Sequence, residues 1–216
     1  LVLYLDAANP KSYPRTGTGW SDLSGRENNG TLTNGPSFNS LNNGSIVFDG
    51  LDDLVTVNTS SSIEITSKIT ISLWMNISST TTGAVISKGP SGNDYDYMIY
   101  LTTSGTVIQF YKKNSSAQSA SYGFTTTYVN TWRNYCITLD SAISGTNSFF
   151  YEDGILKTSA NLGTSGIRTS SELFRIGQGW STYRAGNIAC VKLYNVALNS
   201  NQVLQNFNAL RGRFGI

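Results

Sequence analysis

Ile69-Thr70-Ile71-Ser72-Leu73-Trp74-Met75-Asn76-Ile77 alternates apolar and polar positions almost without a break. That period of two is the signature of a strand with one face in a core, so Ile69, Ile71, Leu73, Met75 and Ile77 are expected to point inward. Shorter runs of the same kind predict strands at 45–48, 54–57, 84–88, 97–101, 106–112, 117–124, 133–140, 148–152, 155–159 and 173–177. The first two flank a tight Asp49-Gly50 and Asp52-Asp53 turn, and Asp153-Gly154 is a two-residue hairpin signal. Residues 186–194 are apolar and β-branched and read as a buried strand. The period then changes: Val203, Leu204 and Phe207 recur at helical spacing behind a run of Asn and Ser able to cap a helix. This predicts one short closing helix. Leu1 to Leu5 forms a short strand expected to pair with the closing strand. Between 12 and 38 turn formers dominate, including Asp22-Leu23-Ser24-Gly25, Asn28-Asn29-Gly30 and Asn34-Gly35-Pro36. That segment is expected to be ordered loop anchored by Trp20, Leu23, Leu32 and Phe38.

More than ten short strands and a single terminal helix make an all-β chain, a two-sheet antiparallel jelly-roll sandwich. At 216 residues it suits one domain spanning 1–216. Trp74, Trp132, Phe110, Phe149 and Tyr151 are expected to fill core. Charged residues are 13% of the chain and the net charge is +2, so no basic footprint for nucleic acid is present. No apolar run reaches the roughly 20 residues that span a bilayer, which argues against membrane insertion. The sequence lacks an initiator Met, as expected of a processed product or a fragment. Cys136 and Cys190 both fall in strand-like stretches. They are either two packed thiols or one inter-strand bridge.

Ordered blocks then carry a resemblance. Trp20-Ser21-Asp22-Leu23-Ser24-Gly25 leads to Asn28-Asn29-Gly30-Thr31-Leu32, and Ile46-Val47-Phe48-Asp49-Gly50-Leu51-Asp52-Asp53-Leu54-Val55 follows. Ile71 to Met75, Trp132 to Asp140, Tyr151-Glu152-Asp153-Gly154 and Arg175-Ile176-Gly177 complete the series. Together they resemble the laminin-G-like jelly rolls of the concanavalin A-like lectin/glucanase superfamily, over nearly the whole chain. The opening Leu5-Asp6-Ala7-Ala8-Asn9-Pro10 and the ending from Asn206 to Ile216 are similar to versions found in virion proteins of tailed bacteriophages. The resemblance implies a module that binds or decorates, on a virion surface or extracellular, with other virion proteins or host-surface glycan as partners and homo-oligomers within an assembly.

The superfamily also contains retaining glucanases, whose machinery resembles Glu-x-Asp-x-x-Glu on one strand. Residues two apart share a face, which holds the two carboxyls about 5 Å apart across a glycosidic bond. Here Glu27, Glu64, Glu152 and Glu172 are the only glutamates, and none precedes an Asp at that interval. Asp94 and Asp96 have the spacing, but their loop reads as a solvated turn. With no histidine, a Ser or Cys nucleophile has no imidazole to activate it. The chain is therefore expected not to be an enzyme and to require no cofactor.

Calcium is the one ion the residues suggest, at Asp22, Asn28, Asp49, Asp52 and Asp53, because Asx-rich loops supply hard oxygen ligands. The same side chains also set turns by bonding their own backbone. For a glycan or protein ligand, Trp180, Tyr183 and Arg184 offer a stacking face and a forked donor, and Asp94, Tyr95 and Tyr97 form a second candidate. Counting strand directions puts these two loops at opposite ends of the sandwich. Three functions follow: a noncatalytic virion-surface module, a structural virion protein joined to its neighbours through strand edges and its C-terminal tail, and an unusual glycoside hydrolase.

Overall fold

The computed structural model describes residues 1–78, 82–89, 94–102, 107–123, 129–179 and 181–216. Among these residues two eight-stranded sheets face each other, and every pairing between strands is antiparallel. The first sheet runs Ile155–Ala160, Ser148–Glu152, Arg133–Asp140, Lys68–Ile77, Ala185–Tyr194, Ser45–Asp49 and Ser37–Asn39, with Leu3–Asp6 also paired to Ala185–Tyr194. The second runs Ala117–Gly123, Val107–Lys113, Tyr97–Leu101, Gly83–Lys88, Phe174–Ile176, Leu54–Val57, Gly30–Thr33 and Gly19–Trp20. Ile69, Ile71, Leu73, Met75 and Ile77 all enter the core between the sheets, as their alternation requires. The Asp153-Gly154 hairpin forms with φ of 50° and 75°, the left-handed pair that joins twisted strands in two residues.

The central strand is buried on its other face as well. Trp74 stacks on Phe214 with centroids 4.1 Å apart and on Phe207 at 5.6 Å. Phe207 belongs to the helix Ser200–Asn208, and Phe214 to the 3₁₀ turn Arg211–Phe214 behind it. Val203 of the same helix packs with Cys136 and Tyr151. Asn199 caps the helix: its side chain accepts from the Gln202 N–H while the Gln202 side chain accepts from the Asn199 N–H. Arg213 then fastens the end of the chain, donating to Asp6 Oδ1 at 2.7 Å, to Asn42 O at 2.6 Å and to Gly44 O. Arg213 and Phe214 thus fasten the C-terminal turn to the first sheet, while Arg211, Gly212, Gly215 and Ile216 stay exposed. Trp132 and Phe149, expected in the core, are half-buried and pack on this outer face.

Two expectations change. Residues 12–38 are not loop alone, since they hold the strands Gly19–Trp20, Gly30–Thr33 and most of Ser37–Asn39. The turn formers mark the corners between strands too short to show a period. Ser45–Asp49 and Leu54–Val57 exist, but they belong to different sheets instead of one hairpin. Asp49 Oδ1 accepts from the Leu51 N–H and Asp53 Oδ2 from the Asp49 N–H, and this corner carries the chain across the sandwich. Both cysteines are buried free thiols, and burial pushes each up to about 12, so neither ionises near neutrality. No helix among the described residues is long and apolar enough to cross a membrane.

Candidate functional site

The loop before strand Tyr97–Leu101 does not present the surface expected of it. Tyr97 is 1% exposed in the core, tilted against Phe174, and burial raises its phenol well above the ordinary value. Tyr95 is 2% exposed and packs with Ala84 and Met98 on the outer face of the second sheet. Neither ring is a stacking platform for a ligand. Asp96 is not in a solvated turn either: it is 1% exposed and accepts from Arg168 Nε at 2.8 Å and Ser170 Oγ at 2.6 Å. Asp94 remains near solvent, but Lys113 and Arg168 hold it, and their donated hydrogen bonds lower its pKa. The Arg168 guanidinium, from a distant segment, stitches this loop down.

Trp180 lies outside the described residues. Its neighbours form a small hairpin, Gln178–Gly179 with Thr182–Tyr183, folded over the second sheet so that the Gly179 backbone meets Ala84 and Met98. Tyr183 is half-buried and faces Gly83, whereas Tyr95 faces Gly89, at the opposite end of strand Gly83–Lys88. Arg184 is 3% exposed, and desolvation lowers its pKa to about 10. It lines a small half-open crevice with Phe48, Met75 and Val85 and does not extend a fork toward solvent.

The five proposed calcium ligands separate into two groups at opposite ends of strand Gly30–Thr33. Asp22 accepts from the N–H groups of Tyr4, Ser24 and Asn28 and from the Ser24 hydroxyl. Asn28 donates to Val2 O and Ser62 Oγ and accepts from Ser60 Oγ. These two build the corner beside the first strand, and their polar atoms are spent there. Asp49, Asp52 and Asp53 bring carboxylate oxygens within 4.8 Å of one another. Burial, followed by the charges of Asp49 and Asp52, raises the Asp53 carboxyl against the pull of the Asp49 N–H. Only this second group gathers carboxylates toward one point, and two of its members already hold the crossover corner.

A surface the sequence reading did not single out lies at the loop rim. Thr59, Ser60, Ser61 and Glu64 from one loop and Thr169, Ser170 and Ser171 from another line an open basin of about 420 Å³. Behind it Lys88, 1% exposed, donates to Ser170 O at 2.7 Å and Glu172 O at 3.0 Å. The same ammonium meets Glu64 Oε1 at 2.7 Å and Asp96 Oδ2 at 3.8 Å. A buried cation thus ties both loops to strand Gly83–Lys88. The Thr59, Ser60 and Ser170 hydroxyls bond Glu64, Asn28 and Asp96, while Ser61, Thr169 and Ser171 are exposed. The signal was present as the tracts Thr59-Ser60-Ser61-Ser62 and Thr169-Ser170-Ser171, but nothing local shows that they meet.

A family model described as the concanavalin A-like lectin/glucanases superfamily matches residues 48–204. No curated protein matches the sequence. Among solved structures, the botulinum neurotoxin serotype G binding domain superposes with a TM-score of 0.74 at 18% identity, covering 96% of this chain and 50% of that one. The binding domain of botulinum neurotoxin DC, in complex with rat synaptotagmin II, gives 0.73 at 17% identity over 97% and 51%. The ligand binding domain of botulinum neurotoxin serotype D, in complex with N-acetylneuraminic acid, gives 0.74 at 15% identity over 96% and 50%. The chain spans about half the length of each of these three structures, and at these identities the likeness is one of fold.

Proposed function

The chain belongs to the concanavalin A-like lectin/glucanases superfamily, and from that premise we propose that it is a noncatalytic module holding a host-surface glycan or protein from the outside of a bacteriophage particle. The observation that carries this reading is the rim basin, where two loops tied to the buried Lys88 present the exposed hydroxyls of Ser61, Thr169 and Ser171. Such a surface suits a polyhydroxylated ligand, whose groups both donate and accept. Two similar structures are complexes with a protein and with a sugar acid. Those ligands belong to those chains, and what supports the reading here is the fold's use as a receptor-facing surface. The virion setting rests on the terminal blocks of the sequence.

The charge arrangement favours binding over hydrolysis. A retaining glycosidase needs two carboxyls about 5 Å apart, one of them protonated. Glu64 faces Lys88, Asp96 and Asp94 face Arg168, Asp140 faces Lys68 and Asp153 faces Arg133, all within 3 Å. At Asp94 and Asp140 the contacting cations lower the carboxyl pKa, so neither holds the acid proton. Glu152 has a raised pKa, but it is 3% exposed between the sheets, out of reach of a polymer.

Glycan-array and whole-cell binding test the reading, with the exposed positions Ser61→Tyr and Thr169→Tyr filling the basin. Loss of about tenfold in affinity is expected, the scale of a few blocked hydrogen bonds. Undiminished binding by both variants would remove the rim as the contact surface. The structural alternative draws on one feature, the edge strand Ile155–Ala160, where Ile155 is 60% and Leu156 48% exposed. Light scattering of Leu156→Lys separates the two: a subunit joint would come apart, whereas a receptor module keeps its size and its ligand.

A further inference from the structure

On the outer face of the first sheet, far from the rim, four neighbouring strands place short polar side chains side by side. Asn187 is the register partner of Asn76, and Ser45 that of Asn39. Ser45 Oγ donates to Asn187 Oδ1 at 3.3 Å, which links the two pairs across the sheet. All four point outward, because Met75, Ile77, Ile188 and Ile46 on either side of them point into the core. They form the floor of a cleft of about 230 Å³.

Two walls rise from this floor. One is the 3₁₀ turn Leu41–Asn43, whose Asn42 and Asn43 take φ of 53° and 64°, a conformation Asn tolerates better than most residues. The other is Trp132, half-buried, with its ring against Phe214 at 4.8 Å. The walls are fastened together: Trp132 Nε1 donates to Asn42 Oδ1 at 3.0 Å, and Arg213 Nε donates to Asn42 O. Leu41, 69% exposed, forms the lip. The Asn76 amide makes no hydrogen bond among the described residues, so its donor and acceptor both remain available to a ligand.

We propose that this cleft binds one uncharged sugar residue, with its ring against Trp132 and its hydroxyls on the amides of Asn76, Asn187 and Asn39. A pyranose has apolar C–H faces beside hydroxyls that donate and accept, which matches an indole wall over a floor where Asn76 offers both functions and Asn187 and Asn39, whose oxygens accept from Ser45 and the Leu41 N–H, offer donors. The cleft is smaller than the roughly 300–1,000 Å³ of pockets for drug-sized ligands, so it takes one ring. None of its lining side chains is charged, which disfavours an acidic sugar: a carboxylate there would lose its hydration and gain no cation. The inference deepens the binding reading and rests on it for the source of the sugar, but the site is separate. Lys68, beside the rim, and Asn76 lie at opposite ends of one strand, about 26 Å apart at 3.3 Å per residue. A single shallow ring site gives weak affinity, and many copies on a particle would raise it.

The test is two-dimensional NMR of the side-chain amide and indole N–H signals of the intact chain, titrated with methyl glucoside, methyl galactoside, N-acetylglucosamine and N-acetylneuraminic acid. At least one neutral sugar should shift the Trp132 Nε1–H and the Asn76 and Asn187 amides with millimolar affinity, and N-acetylneuraminic acid should not. Trp132→Ala should weaken that sugar by about tenfold or more. Because Trp132 also packs on Phe214, Asn76→Ala serves as the second variant, at a side chain with no hydrogen bond among the described residues, and it too should weaken binding. Shifts confined to the rim loops, an equal response to N-acetylneuraminic acid, or no response to any of the four would overturn the proposal. Cell binding that survives both cleft variants while the basin variants lose it would overturn the cleft alone and leave the receptor-binding reading standing.

Discussion

Asp6 and Arg213 sit at opposite ends of the chain, 2.7 Å apart, with side chains each 8% exposed. Removing one partner leaves the other charge buried and unpaired, at a cost of about 3–5 kcal/mol. Arg213→Ala should therefore lower the urea midpoint sharply, and an unchanged midpoint would show the pair to be idle. Glu152 behaves differently. Burial, with Asp153 beside it, raises its carboxyl above the ordinary value, against weaker opposing pulls from Lys157, Arg133 and Tyr122. The fold thus holds a proton there that the unfolded chain has released, and stability falls as pH rises from the ordinary glutamate pKa to the raised one. Glu152→Gln should raise the melting temperature at neutral pH and leave it nearly unchanged below the ordinary glutamate pKa. At this scale the sequence showed which residue types were present but not which were free. Ile69 to Ile77 could be placed by alternation alone, whereas the burial of Arg184, Tyr95 and Asp96 depends on segments arriving from elsewhere, as Arg168 does at Asp96.

The elements carry the same lesson in their connections. Asp153-Gly154 was readable because a two-residue turn at positive φ needs those residue types, and it formed as read. Gly154 does a second job, since a Cβ there would meet Leu204 Cδ1 and Phe207 Cδ1 at 3.0 Å. Gly154→Ala should cost about 1–2 kcal/mol from the left-handed backbone alone. The crowding adds to that by pushing the helix Ser200–Asn208 off the sheet, visible as loss of Trp74 near-ultraviolet signal before global unfolding. The corner after Ser45–Asp49 resembles a hairpin in sequence yet crosses between sheets, because the partners of Leu54–Val57 lie at Gly30–Thr33 and Phe174–Ile176. A local pattern fixes a strand's faces; its neighbours are chosen by the whole sheet. The cleft beside Trp132 was hidden for this reason, as its amides come from three strands and a turn scattered from Asn39 to Asn187.

For the whole molecule, the sandwich buries its aliphatic residues between two sheets and closes one outer face with a short helix and a fastened C-terminus. Outside the core lie a basin at the rim, lined by Thr, Ser and Glu64, and an amide-lined cleft toward the other end. Carboxylates that could have served as acids are held by lysines and arginines. The most direct measurement incubates the chain with host-surface polysaccharide and follows retained polymer and new reducing ends in the same samples. The account predicts saturable retention with no reducing ends above background, and generation of reducing ends, or no retention at any concentration, would contradict it.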